Sequence, residues 1–182
     1  MSKVLVPLAD GCEEIEAVTV IDILRRAGVE VVTAGLGENP VQCSRGTRIM
    51  ADTSLDNALA QSFDLIVLPG GMPGAEHLKN DRRILQLLQS MAKSGKYVAA
   101  ICAAPIALHA ACLLENRKAT SFPGFIDKLP GSHTYSTEAV VIDGNIITSR
   151  GPGTAMDFAL TLVELLCHRE RRVKVEAALQ RP

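Results

Sequence analysis

The sequence predicts an α/β fold: a mostly parallel sheet with helices on both faces and a small β-hairpin. Three observations lead there. Strand-like and helix-like stretches alternate from Lys3 onward. The strands are continuous apolar runs, as expected of a sheet covered on both faces. The apolar run Val98–Ile101 meets Cys102 and then breaks into small residues and Pro105, so a strand turns sharply into a helix.

Lys3–Leu8 is the first apolar strand. Glu13–Ala27 is a helix with Ile15, Val18, Ile21, Ile23 and Leu24 as its apolar side, and Gly28 suits its C-terminal stop. Val29–Ala34 is a second buried strand. Val41–Ser44 and Arg48–Ala51 are candidates for a short strand pair, and Ser54–Ala60 for a short helix. Phe63–Leu68 is a third apolar strand, ending in Pro69-Gly70-Gly71. Arg82–Lys93 is an amphipathic helix with Ile84, Leu87, Leu88 and Met91 on one side. Tyr97–Ile101 is the strand before Cys102, and Pro105–Leu114 is the helix after it. Ala139–Ile142 and Asn145–Thr148 flank Asp143-Gly144, a two-residue hairpin signal. Thr154–Cys167 is the last long helix. There is no internal repeat, linker or low-complexity segment, and 182 residues suit one domain over 1–182.

Composition narrows the partners. A 47% hydrophobic content marks a globular chain, and a net charge of -1 supplies no field toward nucleic acid or a membrane. The stretch from Arg169 to Arg181 is locally basic but carries Glu170 and Glu176, as a solvated terminal helix would. Without Trp, and with 3% aromatics, stacking platforms for single-stranded nucleic acid are scarce. No segment reaches the roughly 20 apolar residues of a membrane span. Met1–Asp10 reads as a first strand rather than a signal peptide. Five cysteines at 12, 43, 102, 112 and 167 form no C-x-x-C, so neither a disulfide framework nor a zinc site is expected, and a reducing cytoplasm is. His77, His109, His133 and His168 show no metal-ligand spacing, and no metal or cofactor is expected.

In parallel α/β sheets the site lies beyond the carboxyl ends of the strands. Three loops meet that description: Ala9–Glu14, Pro69–Gly74 and Cys102 itself. Ala100 and Ala104, two residues either side of Cys102, are small, as a nucleophile elbow requires. A helix N-terminus beside the sulfur favours thiolate, which predicts a Cys102 pKa below that of an ordinary cysteine. Asp10, Glu13, Glu14 and Glu16 lie one loop away. Glu13 and Glu14 suit a helix N-terminus, whereas Glu16 sits between apolar Ile15 and Ala17. A carboxyl beside a thiolate is pushed toward its protonated form, but the residues alone do not choose Glu16 over its neighbours. Pro69-Gly70-Gly71-Met72-Pro73-Gly74 matches no nucleotide-binding pattern. It is either a plain tight turn or a source of backbone donors, with Gly71 N–H and Ala103 N–H forming an oxyanion hole. Ser149–Thr154 is a rigid loop suited to walling the site or an interface, with Thr154 as a helix N-cap.

Glu13-Glu14-Ile15-Glu16, Leu68-Pro69-Gly70-Gly71, Ala99–Pro105 and Thr148–Thr154, with Pro40–Arg45 between the first two, stand in an order that resembles the DJ-1/PfpI superfamily. The resemblance runs from near residue 3 to about 172 and is to the branch containing the Parkinson-disease deglycase and its bacterial counterpart YajL. It implies a flavodoxin-like three-layer sandwich, a homodimer and a Cys–Glu site. By position, Cys102 matches the reactive cysteine and Glu16 its partner carboxyl. Gly71 and Ala103 match the backbone donors, and Arg45 matches an arginine near the interface and site mouth. Gly70 and Pro152 join these as candidate pocket or interface residues. The implied activity is a cofactor-free glyoxalase or deglycase acting on glyoxal, methylglyoxal or their adducts on proteins and nucleotides, protecting against carbonyl and oxidative stress. The alternative is a redox sensor or chaperone whose cysteine is oxidised to sulfinic acid.

One departure is visible. Several relatives carry a histidine where this chain has Phe122, so no histidine proton carrier is transferred, and His133 is a weak substitute. Cys12 reads as a small residue in a tight loop; next to Cys102 it would allow an oxidised pair.

Overall fold

The computed structural model describes residues 1–181. The chain runs β1 (Lys3–Leu8), α1 (Glu14–Arg26), β2 (Glu30–Gly35), β3 (Val41–Gln42), β4 (Arg48–Ile49) and β5 (Thr53–Ser54). It continues through α2 (Leu55–Ala58), β6 (Leu65–Leu68), α3 (Gly74–Asn80), α4 (Arg82–Lys93), β7 (Tyr97–Ile101) and α5 (Pro105–Ala110). The last part holds β8 (Lys118–Ala119), β9 (Thr134–Tyr135), β10 (Val140–Asp143), β11 (Ile146–Ser149) and α6 (Ala155–Ala178).

Seven strands form one sheet in the order β10-β11-β7-β6-β1-β2-β5. Every neighbouring pair is parallel except the β10–β11 hairpin at one edge. The apolar runs explain this. Leu5, Val6, Leu8, Leu65, Ile66, Leu68 and Val98–Ile101 are fully buried on both sheet faces, which only helices on each side allow. The helices form two groups, α1 with α6 and α3 with α4 and α5, and the sheet lies between them. Phe158 of α6 and Leu24 of α1 are fully buried, as are Leu78 of α3 and Leu88 of α4. The expected three-layer α/β architecture is therefore present. β3 and β4 pair antiparallel, as the sequence suggests.

Several elements differ from the sequence reading. Gly74–Asn80 is a helix, although its glycine and proline approach reads as a turn. β8 and β9 form a two-residue parallel pair too short to leave a pattern. α5 stops at Ala110 rather than continuing to Leu114. α6 breaks at His168, where φ is 66, and a second helical stretch follows. On α1 the buried side is Ala17, Val20, Ile21, Ile23 and Leu24, whereas Ile15 and Val18 are 56% and 49% exposed. Those two were expected to face the core; the α1 phase turns them outward. Among the described residues no helix is long and apolar enough to cross a membrane.

Candidate active site

β7 ends at Ile101 and delivers Cys102 to the tight turn that precedes α5. Cys102 has a φ of 63, a left-handed conformation costing a side chain about 1–3 kcal/mol. The surrounding bonds hold it there. Its N–H donates to the Ser149 carbonyl at 2.9 Å, and its carbonyl accepts the Phe122 N–H at 2.9 Å. Ala103 and Ala104 are buried, and Pro105 starts α5.

Glu16, in the first turn of α1, has no solvent exposure. Its Oε2 accepts the Gly70 N–H at 2.7 Å, while Oε1 is buried without a well-aligned partner. Burial pushes this carboxyl up to about 7; the Gly70 N–H and Cys102 oppose the shift, and the charge of Glu13 adds to it. Cys102 is pushed up to about 12, by burial first and then by the Glu16 charge and hydrogen bond. The backbone N–H groups of Gly71 and Ala103 hydrogen-bond the sulfur and pull the other way. The expectation of a Cys102 pKa below that of an ordinary cysteine is thus corrected, whereas a Cys102–Glu16 pair is what the shifts describe. The backbone donors favour the thiolate less than burial and the adjacent carboxylate oppose it. The two groups behave as a pair. Each group acts on the other's titration, so apparent pKa values belong to the pair.

The two glycines are steric requirements. A Cβ on Gly70 would sit 2.7 Å from Cys102 Cβ and 2.8 Å from Glu16 Oε2. Gly71 has a φ of +84, and a Cβ there would sit 2.4 Å from the Glu13 nitrogen. Gly70→Ala is therefore expected to force Cys102 and Glu16 apart and destabilise the fold by about 1–3 kcal/mol, read by urea unfolding. Wild-type stability with unchanged Cys102 alkylation would show that this contact is not what fixes the pair.

Above the sulfur opens a cavity of about 330 Å³. Glu13, Ser44 and Arg45 line its polar side, and Met72, Phe122, Phe125 and Pro152 its apolar side. Cys102, Gly71 and Ala103 form the floor, with Glu16 buried beneath. The structure thus brings Cys102, Glu16, Gly70, Gly71, Ala103, Arg45 and Pro152 to one place. It also revises several expectations. Glu13 is not merely a helix-terminus residue: it is 8% exposed, and its Oε2 accepts the Ser44 hydroxyl at 2.8 Å. Glu14 accepts backbone N–H groups of Arg45 and Thr47, holding the 44–47 turn against α1. Ser44, Met72 and Phe125 carry no sequence signal that would single them out. His133 lies away from the cavity, its Nε2 against the Ile126 carbonyl and its ring edge-on to His109. Thr154 makes no side-chain cap; its hydroxyl bonds Ser149 and Gly151 and braces the loop that presents Pro152. Cys12 faces Cys43, with the sulfurs 3.6 Å apart, rather than pairing with Cys102. Among the described residues no three His, Cys, Asp or Glu side chains converge to hold a metal ion.

An elbow cysteine over a buried carboxyl, set at the carboxyl ends of a parallel sheet, defines an α/β protein with a cysteine–glutamate site. The chain belongs to the DJ-1/PfpI family, whose model matches residues 2–165. It is 45% identical over 181 residues to the Parkinson disease protein 7 homolog of Danio rerio, covering 97% of this chain and 96% of the relative. It is 46% identical over 180 residues to Protein DJ-1 homolog B of Arabidopsis thaliana; 97% of this chain matches, but it spans only 41% of that relative's length. A Caenorhabditis elegans relative named glutathione-independent glyoxalase DJR-1.2 is 39% identical over 163 residues, 90% of this chain and 87% of the relative. The solved structure of Drosophila melanogaster DJ-1beta superimposes with a TM-score of 0.94 at 42% identity, over 98% of both chains.

Proposed function

We propose that the protein is a cofactor-free, cysteine-dependent glyoxalase acting on glyoxal, methylglyoxal and their adducts on proteins and nucleotides, in the cytoplasm. One observation carries this reading: Cys102 lines the cavity with Gly71 and Ala103, and the fully buried Glu16 carboxyl lies beside it, held by the Gly70 N–H. The Caenorhabditis elegans relative's name supports the same chemistry.

The thiolate attacks the aldehyde carbon, and the proton held by Glu16 passes to the new alkoxide, giving a hemithioacetal. As that oxygen gains charge, the N–H groups of Gly71 and Ala103 stabilise it. Glu16, now a carboxylate, removes the proton on the former aldehyde carbon to give an enediolate and returns it to the adjacent carbon, while the hydroxyl proton of the hemithioacetal passes to the former ketone oxygen. The resulting thioester is hydrolysed by water, releasing the hydroxy acid and the thiol. With a hemiaminal or hemithioacetal adduct as substrate, the thiolate displaces the amine or thiol at the same carbon, the leaving group takes the proton held by Glu16, and the same enzyme-bound hemithioacetal results, which is the deglycase form of the reaction. A carboxyl near 7 suits a group that both gives and takes a proton at neutral pH.

The test is steady-state methylglyoxal consumption by the purified protein, with lactate identified as product. Stoichiometric lactate formation sustains the reading. No turnover, together with selective peroxide oxidation of Cys102, sinks it in favour of a redox sensor. The unpartnered Glu16 Oε1 favours that second reading, because its proton would be positioned for a sulfinate oxygen.

The protein is also proposed to act as a homodimer. Ile15, Val18 and Met50 are large exposed apolar side chains, and Val18 and Met50 border one surface hollow. Arg45 and Pro152 at the cavity mouth are the nearby elements suited to walling each site. Light scattering at low micromolar concentration should return twice the 19.4 kDa chain mass. A fully active monomer at that concentration would refute the assembly.

A further inference from the structure

We propose that Cys12 and Cys43 are a reversible disulfide site, a redox latch behind the polar wall of the cavity. Their sulfurs are 3.6 Å apart, and the residues are 0% and 4% exposed. The fold enforces the approach. On one side of the pair the Gly11 N–H donates to the Gln42 carbonyl at 2.7 Å. On the other the Ser44 N–H donates to the Cys12 carbonyl at 2.8 Å. The Gln42 N–H is further anchored to Asp10 Oδ1 at 2.8 Å, and the Cys43 N–H to the Thr47 carbonyl at 2.8 Å. Two backbones fixed side by side leave only side-chain rotation to close the gap to a bond of about 2.0 Å.

The resting pair is a dithiol. Burial raises both thiols, and the charge of Glu14 raises both further. Thiols of this kind react slowly, so the latch answers sustained rather than brief oxidation. Cys43, the more exposed, is the point of attack. Its thiolate displaces hydroxide from hydrogen peroxide and becomes a sulfenic acid. The Cys12 sulfur then attacks the Cys43 sulfur, the S–S bond forms, and water leaves. Two thiols and one peroxide give one disulfide and two waters, the sulfurs losing two electrons to the peroxide.

The consequence follows from what is adjacent. Cys12 leads into Glu13, and Cys43 leads into Ser44 and Arg45, which together make the polar cavity wall. Gly71, whose N–H faces the Cys102 sulfur, packs on the Cys12 backbone so closely that a Cβ would sit 2.7 Å from its carbonyl carbon. A bond between residues 31 apart would tie these segments covalently where hydrogen bonds now hold them.

The experiment uses Cys102→Ser protein, so that the cavity cysteine cannot react, and needs no turnover measurement. After prolonged hydrogen peroxide, the intact mass should fall by two hydrogens. Non-reducing peptide mapping should join the Cys12 and Cys43 peptides, and dithiothreitol should reverse both changes. The oxidised form should melt roughly 5–10 °C higher, as expected for closing a loop of this length. Amide exchange over residues 11–14 and 42–46 should slow on oxidation and recover on reduction. Cys12→Ala in the same background should show no loss of two hydrogens. Added oxygen on Cys12 or Cys43 without a cross-link, a cross-link through Cys112 or Cys167, or no reaction overturns the site. A disulfide that leaves both melting and exchange unchanged overturns the latch.

Discussion

Cys102→Ser is expected to lower methylglyoxal turnover by at least about 10³-fold while the protein stays folded. The hydroxyl fits where the thiol sits, and the elbow at φ 63 is held by backbone bonds from Cys102 to Ser149 and Phe122 that the substitution leaves in place. Gly71 and Ala103 still present their N–H groups. What is lost is ionisation. A carboxyl near 7 takes a proton from a thiol far more readily than from an alcohol, whose pKa lies well above a thiol's. Chemical unfolding should therefore place the variant within about 1 kcal/mol of wild type. If serine retains a tenth or more of the turnover, Cys102 is not the nucleophile. If turnover falls only in proportion to the folded fraction, the folded variant is as active as wild type and the assignment fails.

The parts of the fold that were legible are those where one physical demand acts alone. Tyr97–Ile101 and Arg82–Lys93 match their predicted bounds because an apolar run and a 3.6-residue period each leave an unambiguous pattern. The hairpin follows from Asp143-Gly144 and lies within one residue of the expected bounds. α3 was illegible because Pro73 and Gly74 open it, and both residues also punctuate loops. The orientation of α1 was half legible. Its period was clear, but Ile15 and Val18 extend the apolar stripe beyond what the core covers. Excess apolar surface of this kind belongs to whatever packs on it, which a single chain does not specify.

The candidate site divides in the same way. Cys102 declared itself through local sequence, because a strand, a small-residue turn and Pro105 are contiguous. Glu16 did not, since four acidic residues within seven positions offer several registers. Only the helix phase buries Glu16 and leaves Glu14 outside. The polar wall was legible only at Arg45, through the resemblance; Ser44 and the buried role of Glu13 depend on the Cys12 segment lying beside Cys43 and Ser44. The bonds that align those segments run between backbones or join Asp10, Glu13 and Glu14 to groups far along the chain, and such pairings leave no local sequence signal. The correction to Cys102 has the same origin. A helix N-terminus can be read from sequence, but burial and the distance to a carboxylate cannot.

Glu16→Gln is the other substitution with a large expected effect, and it separates catalysis from stability. Turnover should fall by roughly 10²–10⁴-fold, because the amide keeps the shape and can still accept the Gly70 N–H but cannot give and take a proton. Stability should move the opposite way. The folded carboxyl titrates near 7 against an ordinary value of 4.5, so the folded state holds this proton more tightly than the unfolded chain. Stability from this group is therefore complete below pH 4.5 and is lost as pH rises toward 7, by at most about 3 kcal/mol. Glutamine is neutral throughout. The variant should lose that decline and at pH 8 be at least as stable as wild type. Removing the charge also removes one of the two main influences holding Cys102 up, so the thiol should become more acidic and alkylate faster at neutral pH. Glu13→Gln should change the alkylation profile much less, since Glu13 acts on Glu16 only through its charge. Urea unfolding and iodoacetamide kinetics across pH 4–9 measure both effects. An unchanged Cys102 profile in Glu16→Gln would dissolve the pair. Unchanged turnover with a shifted profile would leave the pair intact but remove Glu16 from the proton transfer.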